Sequence, residues 1–177
     1  KIDTVAYVSD MKNTADGVAL VSICKNFVGE EYSFVEAWEV MEYLKRCDMD
    51  FITYCMSRWS RKFASIPVLD FIVVNTDRHT QNYGFFMNNE TGEIENMAPL
   101  FDFNCALVAD YFQHDARDTL SQMFNSKDTL RELAFEYKDQ ANLVFNEDKF
   151  MNVVEHNEKY KYIFEKVYAR IAELGIV

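Results

Sequence analysis

Three side chains that carry oxygen ligands stand in the middle of the sequence, at Asp77, Asn82 and Asp102. Carboxylate and amide oxygens suit Mg²⁺, and a carboxylate can also orient an attacking hydroxyl group. Phosphoryl transfer from a nucleotide depends mainly on such positioning and on neutralising the charge of the phosphates. The three residues therefore predict a site for a metal ion and a phosphate group.

The elements around these residues would hold them together. Residues 75–82 (NTDRHTQN) are all polar and directly follow residues 68–74 (VLDFIVV), which are apolar nearly all round and predict a central helix. Residues 84–87 and the run ending at 97–101 flank the turn-rich NNETGE, which predicts a β-hairpin. Asp102 follows that hairpin directly.

The order of these residues matches that of protein kinases. In those enzymes the catalytic-loop Asp and a metal-binding Asn are five positions apart, and a second metal-binding Asp follows at the DFG motif. Here Asp77 and Asn82 are five positions apart, and Asp102 follows the predicted hairpin. Asn104 stands where a typical kinase has the glycine of DFG.

The same residues carry a resemblance to one kinase family. The string DFIVVNTDRHTQNYGFFM, followed by MAPLFDFNCAL, is similar to the C-terminal lobe of HipA-like serine/threonine kinases, whose motifs are N-x-D-x-H-x-x-N and A-P-L/F-Y/F-D. The match covers about residues 67–107. Membership would imply a bilobal kinase that binds ATP and Mg²⁺ between its lobes and phosphorylates a Ser or Thr hydroxyl of a protein. Some members also pair with a small DNA-binding antitoxin, so the resemblance admits a partner of that kind.

Carried over by motif position, the resemblance implies a role for each site residue. Asp77 would be the catalytic base, and Asn82 and Asp102 would be the Mg²⁺ ligands. The support of the catalytic loop would come from Asn75, Arg78 and His79.

Two of the supporting residues carry charge or can acquire it. We interpret His79 as an organiser of the loop and not as a proton shuttle. Two interpretations of Arg78 stay open, because a guanidinium there could pair with a phosphate or with a neighbouring acidic side chain.

The resemblance also divides the chain. We expect residues 1–30 to be hinge and edge strands left over from an N-lobe, with 18–26 (VALVSICKN) as the hinge. Residues 31–177 would form a mainly α-helical, kinase-like C-lobe with a small β-hairpin, an α+β fold, containing the catalytic loop 75–82 and the metal-binding segment 98–104. The five glycines never cluster into a phosphate-covering loop, and no VAIK-like strand lysine is present. We therefore expect the N-lobe ahead of this sequence and an inactive chain without it.

Local patterns predict the first elements of the chain. Residues 5–8 and 18–24 are β-rich and predict a pair of edge strands around a turn at Asp16-Gly17. Ser33 and Glu36 resemble a capping box for a helix over about 34–46. Its apolar stripe would be Phe34, Ala37, Trp38, Met41 and Leu44.

The remaining helices follow from apolar spacing. Asp48 or Asp50 would cap a second helix, and Ser65 with Pro67 would begin a third, shorter one. The C-terminal region shows two more apolar faces, made of Leu130, Leu133, Tyr137 and Ala141, and of Tyr160, Phe164, Val167, Ile171 and Leu174, the second one ended by Gly175.

Charge and composition exclude several classes of function. The 18 Lys and Arg residues against 29 Asp and Glu give a net charge of -11, which disfavours direct binding to nucleic acid or to anionic lipid. A protein partner should be neutral to basic. No run approaches the roughly 18 apolar residues of a membrane span, so we expect a cytoplasmic protein with no membrane contact. The four cysteines show no CxxC pair and predict reduced thiols that fill a core.

Two alternatives to an active kinase remain open. The chain could belong to a kinase-like binding module, or pseudokinase, that recognises a partner without transferring phosphate. Asp77, Arg78 and His79 could also be the D-x-H motif of a metallophosphoesterase, since a carboxylate and an imidazole can share a catalytic metal. That chemistry commonly uses GD and GNH motifs, and neither occurs in the sequence.

Overall fold

The computed structural model describes residues 3–15, 17–124 and 127–177. Lys1, Ile2 and the predicted turn residue Asp16 lie outside this description. In chain order the elements are β1 (Tyr7–Thr14), β2 (Gly17–Cys24), β3 (Tyr32–Glu36), α1 (Ala37–Arg46), α2 (Phe51–Val73), β4 (Gly84–Asn88), β5 (Ile94–Met97), α3 (Val108–Tyr111), α4 (Leu130–Ala141), α5 (Glu147–Glu155), a 3₁₀ turn (Glu158–Tyr160) and α6 (Lys161–Glu173).

The fold is α+β, with two small antiparallel sheets. Strands β1 and β2 form a separate hairpin in which Tyr7 pairs with Cys24. The predicted pair of strands is therefore present, but the first strand spans Tyr7–Thr14 and not residues 5–8. The second sheet has the order β3-β4-β5. It contains the predicted hairpin, although its second arm ends at Met97 and residues 98–101 lie beyond the strand.

Strand β3 replaces the first turn of a predicted helix. Phe34 pairs with Phe86, and Val35 with Phe85, so this stretch is extended and α1 begins only at Ala37. The predicted Ser33–Glu36 capping box is wrong, because Glu36 is itself the N-cap and forms the box with Glu39. Pairing with β4, a distant part of the chain, overrides the local helical pattern.

Because α1 begins later than predicted, the residues that form its buried face also differ from the prediction. The helix buries Ala37, Val40 and Leu44, while Trp38, predicted for the core, is 43% exposed. Gly84 permits the close approach of β3, because a Cβ at that position would lie 2.2 Å from the carbonyl oxygen of Val35.

Helix α2 is the central element, and its boundaries differ from the prediction. Asp50 caps it by accepting a hydrogen bond from the Thr53 N–H at 2.7 Å, so Asp50 and not Asp48 is the cap. The helix is kinked at Trp59 and then continues through Pro67 to Val73, so no separate helix begins at Ser65. Its second half is buried almost throughout, as the apolar segment predicted.

The C-terminal helices complete the core around α2. The predicted face of α4 is confirmed, because Leu130, Leu133, Tyr137 and Ala141 are all buried. Of the face predicted for the last helix, Val167 and Ile171 of α6 are buried, and so is Leu174, which caps the helix. Phe164 is half-buried, and Tyr160 is exposed in the preceding turn. Gly175 follows the end of α6 with a φ of 72°, as expected for a residue that terminates a helix. Helix α5 has no counterpart among the predicted elements.

A buried arginine of α6 joins this helix to α3 and to the end of α2. Arg170 donates two hydrogen bonds to the carboxylate of Asp110 and a third to the carbonyl oxygen of Ile72, at 2.7 Å. This arrangement holds the last turn of α2 in place, and the polar loop begins just beyond it.

Within residues 3–15, 17–124 and 127–177, no helix is both long and apolar enough to cross a membrane.

Candidate functional site

The polar loop 75–82 leaves the buried end of α2 through a sharp turn. Val74 has a φ of 48°, a left-handed conformation that is unusual for a β-branched residue. The Asn75 N–H then donates to the carbonyl oxygen of Asp70 at 2.8 Å. Within the loop, His79 N–H donates to the Asp77 carbonyl oxygen and Asn82 N–H to that of His79. The loop is therefore closed by its own backbone.

Arg78 is the centre of the site. Its side chain is 1% exposed and pairs with the carboxylate of Asp70, with 3.1 Å between Nε and Oδ2. Its Nη1 donates to the carbonyl oxygens of both Asn82, at 2.7 Å, and Phe101, at 2.6 Å. The guanidinium also stacks on the ring of Phe103 at 4.5 Å. One buried side chain thus joins the loop 75–82 to the segment 98–104.

This placement decides between the two interpretations of Arg78. The guanidinium binds a neighbouring carboxylate in the interior, so it is not exposed to a phosphate. Buried charges are stable only when they are paired and hydrogen-bonded, and Arg78 meets both conditions.

Asn82 is held in an orientation that suits a metal ligand. Its Nδ2 donates to the Asp77 carbonyl oxygen at 2.9 Å. In the part of the chain that the structure describes, no hydrogen bond uses Oδ1 of Asn82. The bond to Nδ2 fixes which end of the amide is the free oxygen.

The carboxylates of Asp77 and Asp102 have no described cation beside them. Both residues are half-buried, and neither carboxylate takes part in an ion pair or hydrogen bond among the described residues. Asp102 has a φ of 53°, the left-handed region that Asp tolerates better than most residues. Such conformations concentrate at functional sites.

The donor set fits Mg²⁺. The predicted ligands, the carboxylate of Asp102 and the amide oxygen of Asn82, are hard oxygen donors, as magnesium sites that also use substrate phosphates require. Across the described ranges, no group of three or more His, Cys, Asp or Glu residues could hold a metal on its own. The predicted site does not need such a group, because Asn82 and the phosphates of a bound nucleotide would supply the other oxygens.

The other loop residues act on the loop itself. Nδ1 of His79 accepts from the Gln81 N–H at 3.3 Å. Asn75 is fully buried, and its Nδ2 donates to Asp70 Oδ1 at 3.0 Å. The Oδ1 of Asn75 is a buried oxygen with no partner among the described residues.

Asp70 is the site residue that the sequence reasoning missed. Burial raises the pKa of its carboxyl, although Arg78 and Asn75 beside it act in the opposite direction. A signal was present, because Asp70 is the single charged residue of the apolar segment 68–74. A buried carboxylate requires a partner, and the nearest cations in sequence are Lys62 and Arg78, which are equally far from Asp70 along the chain.

The N-terminal hairpin reaches the same site. Val5 N–H donates to the Leu100 carbonyl oxygen at 2.8 Å, and Asp102 N–H lies 3.5 Å from the hydroxyl of Tyr7. A cavity of about 410 Å³ there is lined by Tyr7, Ser22 and residues 101–104. The segment predicted as hinge and edge strands therefore contacts the predicted metal-binding segment.

An aromatic cluster connects the next segment to the site. The ring of Phe27 stacks on that of Phe101 at 5.9 Å, and Phe34 of β3 meets Phe101 edge-on at 5.4 Å. Phe27, in the segment that joins β2 to β3, and Phe34 of β3 therefore both pack against Phe101, the residue before Asp102.

Comparisons with known proteins identify no relative: no family model, curated protein or solved structure matches this chain.

Proposed function

We propose that this chain is the C-terminal catalytic lobe of a HipA-like serine/threonine kinase, which transfers the γ-phosphate of ATP to a protein hydroxyl with Mg²⁺. One observation carries the proposal: the buried guanidinium of Arg78 joins the loop of Asp77 and Asn82 to the segment of Asp102. Residues that the kinase motifs place 20 or more positions apart in sequence, such as Asn82 and Asp102, are thereby anchored to one group.

Each residue has one task in the proposed reaction. Asp77 would orient the attacking Ser or Thr hydroxyl and accept its proton. Asn82 and Asp102 would hold Mg²⁺, which neutralises charge on the phosphates when bound. Asn75, Arg78 and His79 would keep these groups in place.

The proposed catalyst also needs an N-lobe in cis. Phosphoryl transfer in kinases uses a phosphate-covering loop and a strand lysine, and this sequence contains neither pattern. The contacts of the N-terminal hairpin with residues 100–102 support a place for that lobe beside the metal-binding segment.

The four free cysteines agree with the reducing cytoplasm as the setting.

Transfer of radiolabelled phosphate from ATP tests the proposal, using the protein with its N-lobe. The Asp77→Asn variant should lose at least about a hundredfold in rate, since it removes the general base. The matched control is Asp139→Asn, which changes an exposed carboxylate of α4 and should leave the rate unchanged. Equal labelling by wild type and Asp77→Asn would contradict the role of Asp77. Nucleotide binding by the wild type without any transfer would instead favour the kinase-like binding module.

A further inference from the structure

A second concave surface lies away from the metal-binding segment, between α1 and the β3-β4-β5 sheet. This groove has a volume of about 790 Å³. Its walls come from β3, from α1 and the loop after it, from the start of α2 and from the turn that joins β4 to β5. No residue of the loop 75–82 or the segment 98–104 lines it. The groove is therefore a feature separate from the proposed phosphate site.

The side chains of the groove are those that protein interfaces favour. Tyr43 is 64% exposed and Met49 is 45% exposed, and Tyr54 and Arg58 lie beside them. Aromatic residues, Met and Arg are enriched at interfaces, where a few such residues carry most of the binding energy. Large exposed apolar side chains gathered at a concave surface mark an interaction site.

The charge around the groove is negative. Glu39 and Glu93 line it, and Glu42 and Glu90, which are not part of the lining, each lie within about a turn of chain from one of them. The single cation of the lining is already engaged: Arg58 donates to the carbonyl oxygen of Ile94 at 3.1 Å and lies over two aromatic rings. Among the described residues, the one ion pair that these glutamates form is the exposed contact of Glu42 with Lys45, at 3.8 Å.

We propose that this groove binds a peptide segment of a partner protein, with apolar side chains in the groove and basic residues against the glutamates at its edge. The apolar lining favours a peptide with apolar side chains that insert into the groove. The excess of carboxylates favours basic residues beside those apolar residues in the peptide. The net charge of -11 repels an acidic segment or a nucleic acid from the same surface.

The groove shares α1 with the polar loop. Ala37 N–H donates to the Tyr83 carbonyl oxygen and Trp38 N–H to that of Thr80, so the first turn of α1 rests on the loop. A peptide bound in the groove would therefore contact α1, the helix whose first turn is hydrogen-bonded to the loop that contains Asp77. Binding itself requires no phosphoryl transfer, so the two proposals fail or succeed separately.

Fluorescence anisotropy with synthetic peptides tests the groove in the absence of nucleotide. The probes are fluorescein-labelled peptides that each contain three arginines and two leucines. The set varies the separation of the two leucines from adjacent to about six residues, because an extended peptide in a groove of this size could span about that length. Each has a counterpart with glutamate in place of arginine. At least one basic peptide should bind with a Kd near or below about 100 µM, and its acidic counterpart at least about tenfold more weakly.

Variants of exposed residues locate the binding. Tyr43→Ala and Met49→Ala should each weaken the best peptide by about tenfold or more, which corresponds to about 1.4 kcal/mol, because a few large anchor side chains carry most of the binding energy of an interface. The matched control is Tyr111→Ala, which removes an exposed ring of α3 outside the groove and should leave the Kd unchanged. The proposal is overturned if no basic peptide binds better than its acidic counterpart. It is also overturned if both groove variants bind like the wild type, since attraction would then be general and not located in the groove.

Discussion

Arg78 and Asp70 form an ion pair in the interior, with 3.1 Å between Nε and Oδ2 and both side chains no more than 2% exposed. Removing two charges from water is costly, and the pair is retained only if further hydrogen bonds satisfy the groups. Arg78 meets this need with the carbonyl oxygens of Asn82 and Phe101. The pair therefore connects the central helix to both parts of the proposed site.

The first prediction concerns this ion pair. Asp70→Asn leaves the guanidinium of Arg78 buried without a counter-charge, so the free energy of unfolding should fall by about 3 kcal/mol. Urea denaturation at neutral pH measures the change. The control is Asp118→Asn, which breaks an exposed contact with Arg131 and should cost less than about 1 kcal/mol. An equal loss of unfolding free energy in the two variants would contradict the prediction, because the buried pair would then stabilise the fold no more than the exposed one.

The second prediction concerns the proposed metal ligands. Replacing Asp102 by Asn removes a charge from the donor set, so the Mg²⁺ concentration for half-maximal phosphoryl transfer should rise by about tenfold or more. The same titration on Asp139→Asn, an exposed acid of α4, should match the wild type. An unchanged Mg²⁺ dependence in the Asp102→Asn protein would remove Asp102 from the metal site.

The third prediction concerns stability in alkali. Burial is the main cause that raises the pKa of Tyr137 from 10.0 to about 12. A group that holds its proton more tightly in the folded state stabilises the fold fully below its unfolded pKa, and this stabilisation is lost as the pH rises from 10.0 to about 12. The unfolding free energy of Tyr137→Phe should therefore fall less steeply over this range than that of the wild type, by up to about 1.4 kcal/mol per pH unit. If the unfolding free energies of the two proteins, measured with urea, fell equally steeply with pH over this range, the raised pKa of Tyr137 would be contradicted.

The fourth prediction concerns the thiols. The expectation that all four cysteines fill a core is wrong, because Cys24 and Cys47 are exposed. Cys55 is buried, and this burial raises the pKa of its thiol. Since the thiolate is the reactive form, an aromatic disulfide reagent should label Cys24 and Cys47 rapidly and Cys55 only after unfolding. Mass spectrometry of peptides from a timed reaction checks the order, and rapid labelling of Cys55 in the native protein would contradict it.

Local sequence patterns predicted correctly those elements that are stabilised by contacts between residues close together in the chain. The buried face of α4 and the end of α6 at Gly175 depend on contacts within a turn or two of helix. The cap of α2 depends on such contacts too, and the sequence narrowed it to Asp48 or Asp50, of which Asp50 is the cap. The hairpin of β4 and β5 depends on a short turn. Predictions failed where a distant segment competed, as at Phe34 and Val35, which pair with a strand about 50 residues away.

The sequence by itself determined the chemistry that the proposed site offers. The types and spacing of Asp77, Asn82 and Asp102 are properties of the chain, and so is the apolar segment that precedes them. Only the tertiary structure decided that Arg78 lies inside, bound to Asp70, and that its guanidinium reaches the carbonyl oxygen of Phe101. The physical reason is that a buried charge takes whichever partners the packing of distant segments brings to it, and spacing along the chain does not specify that choice.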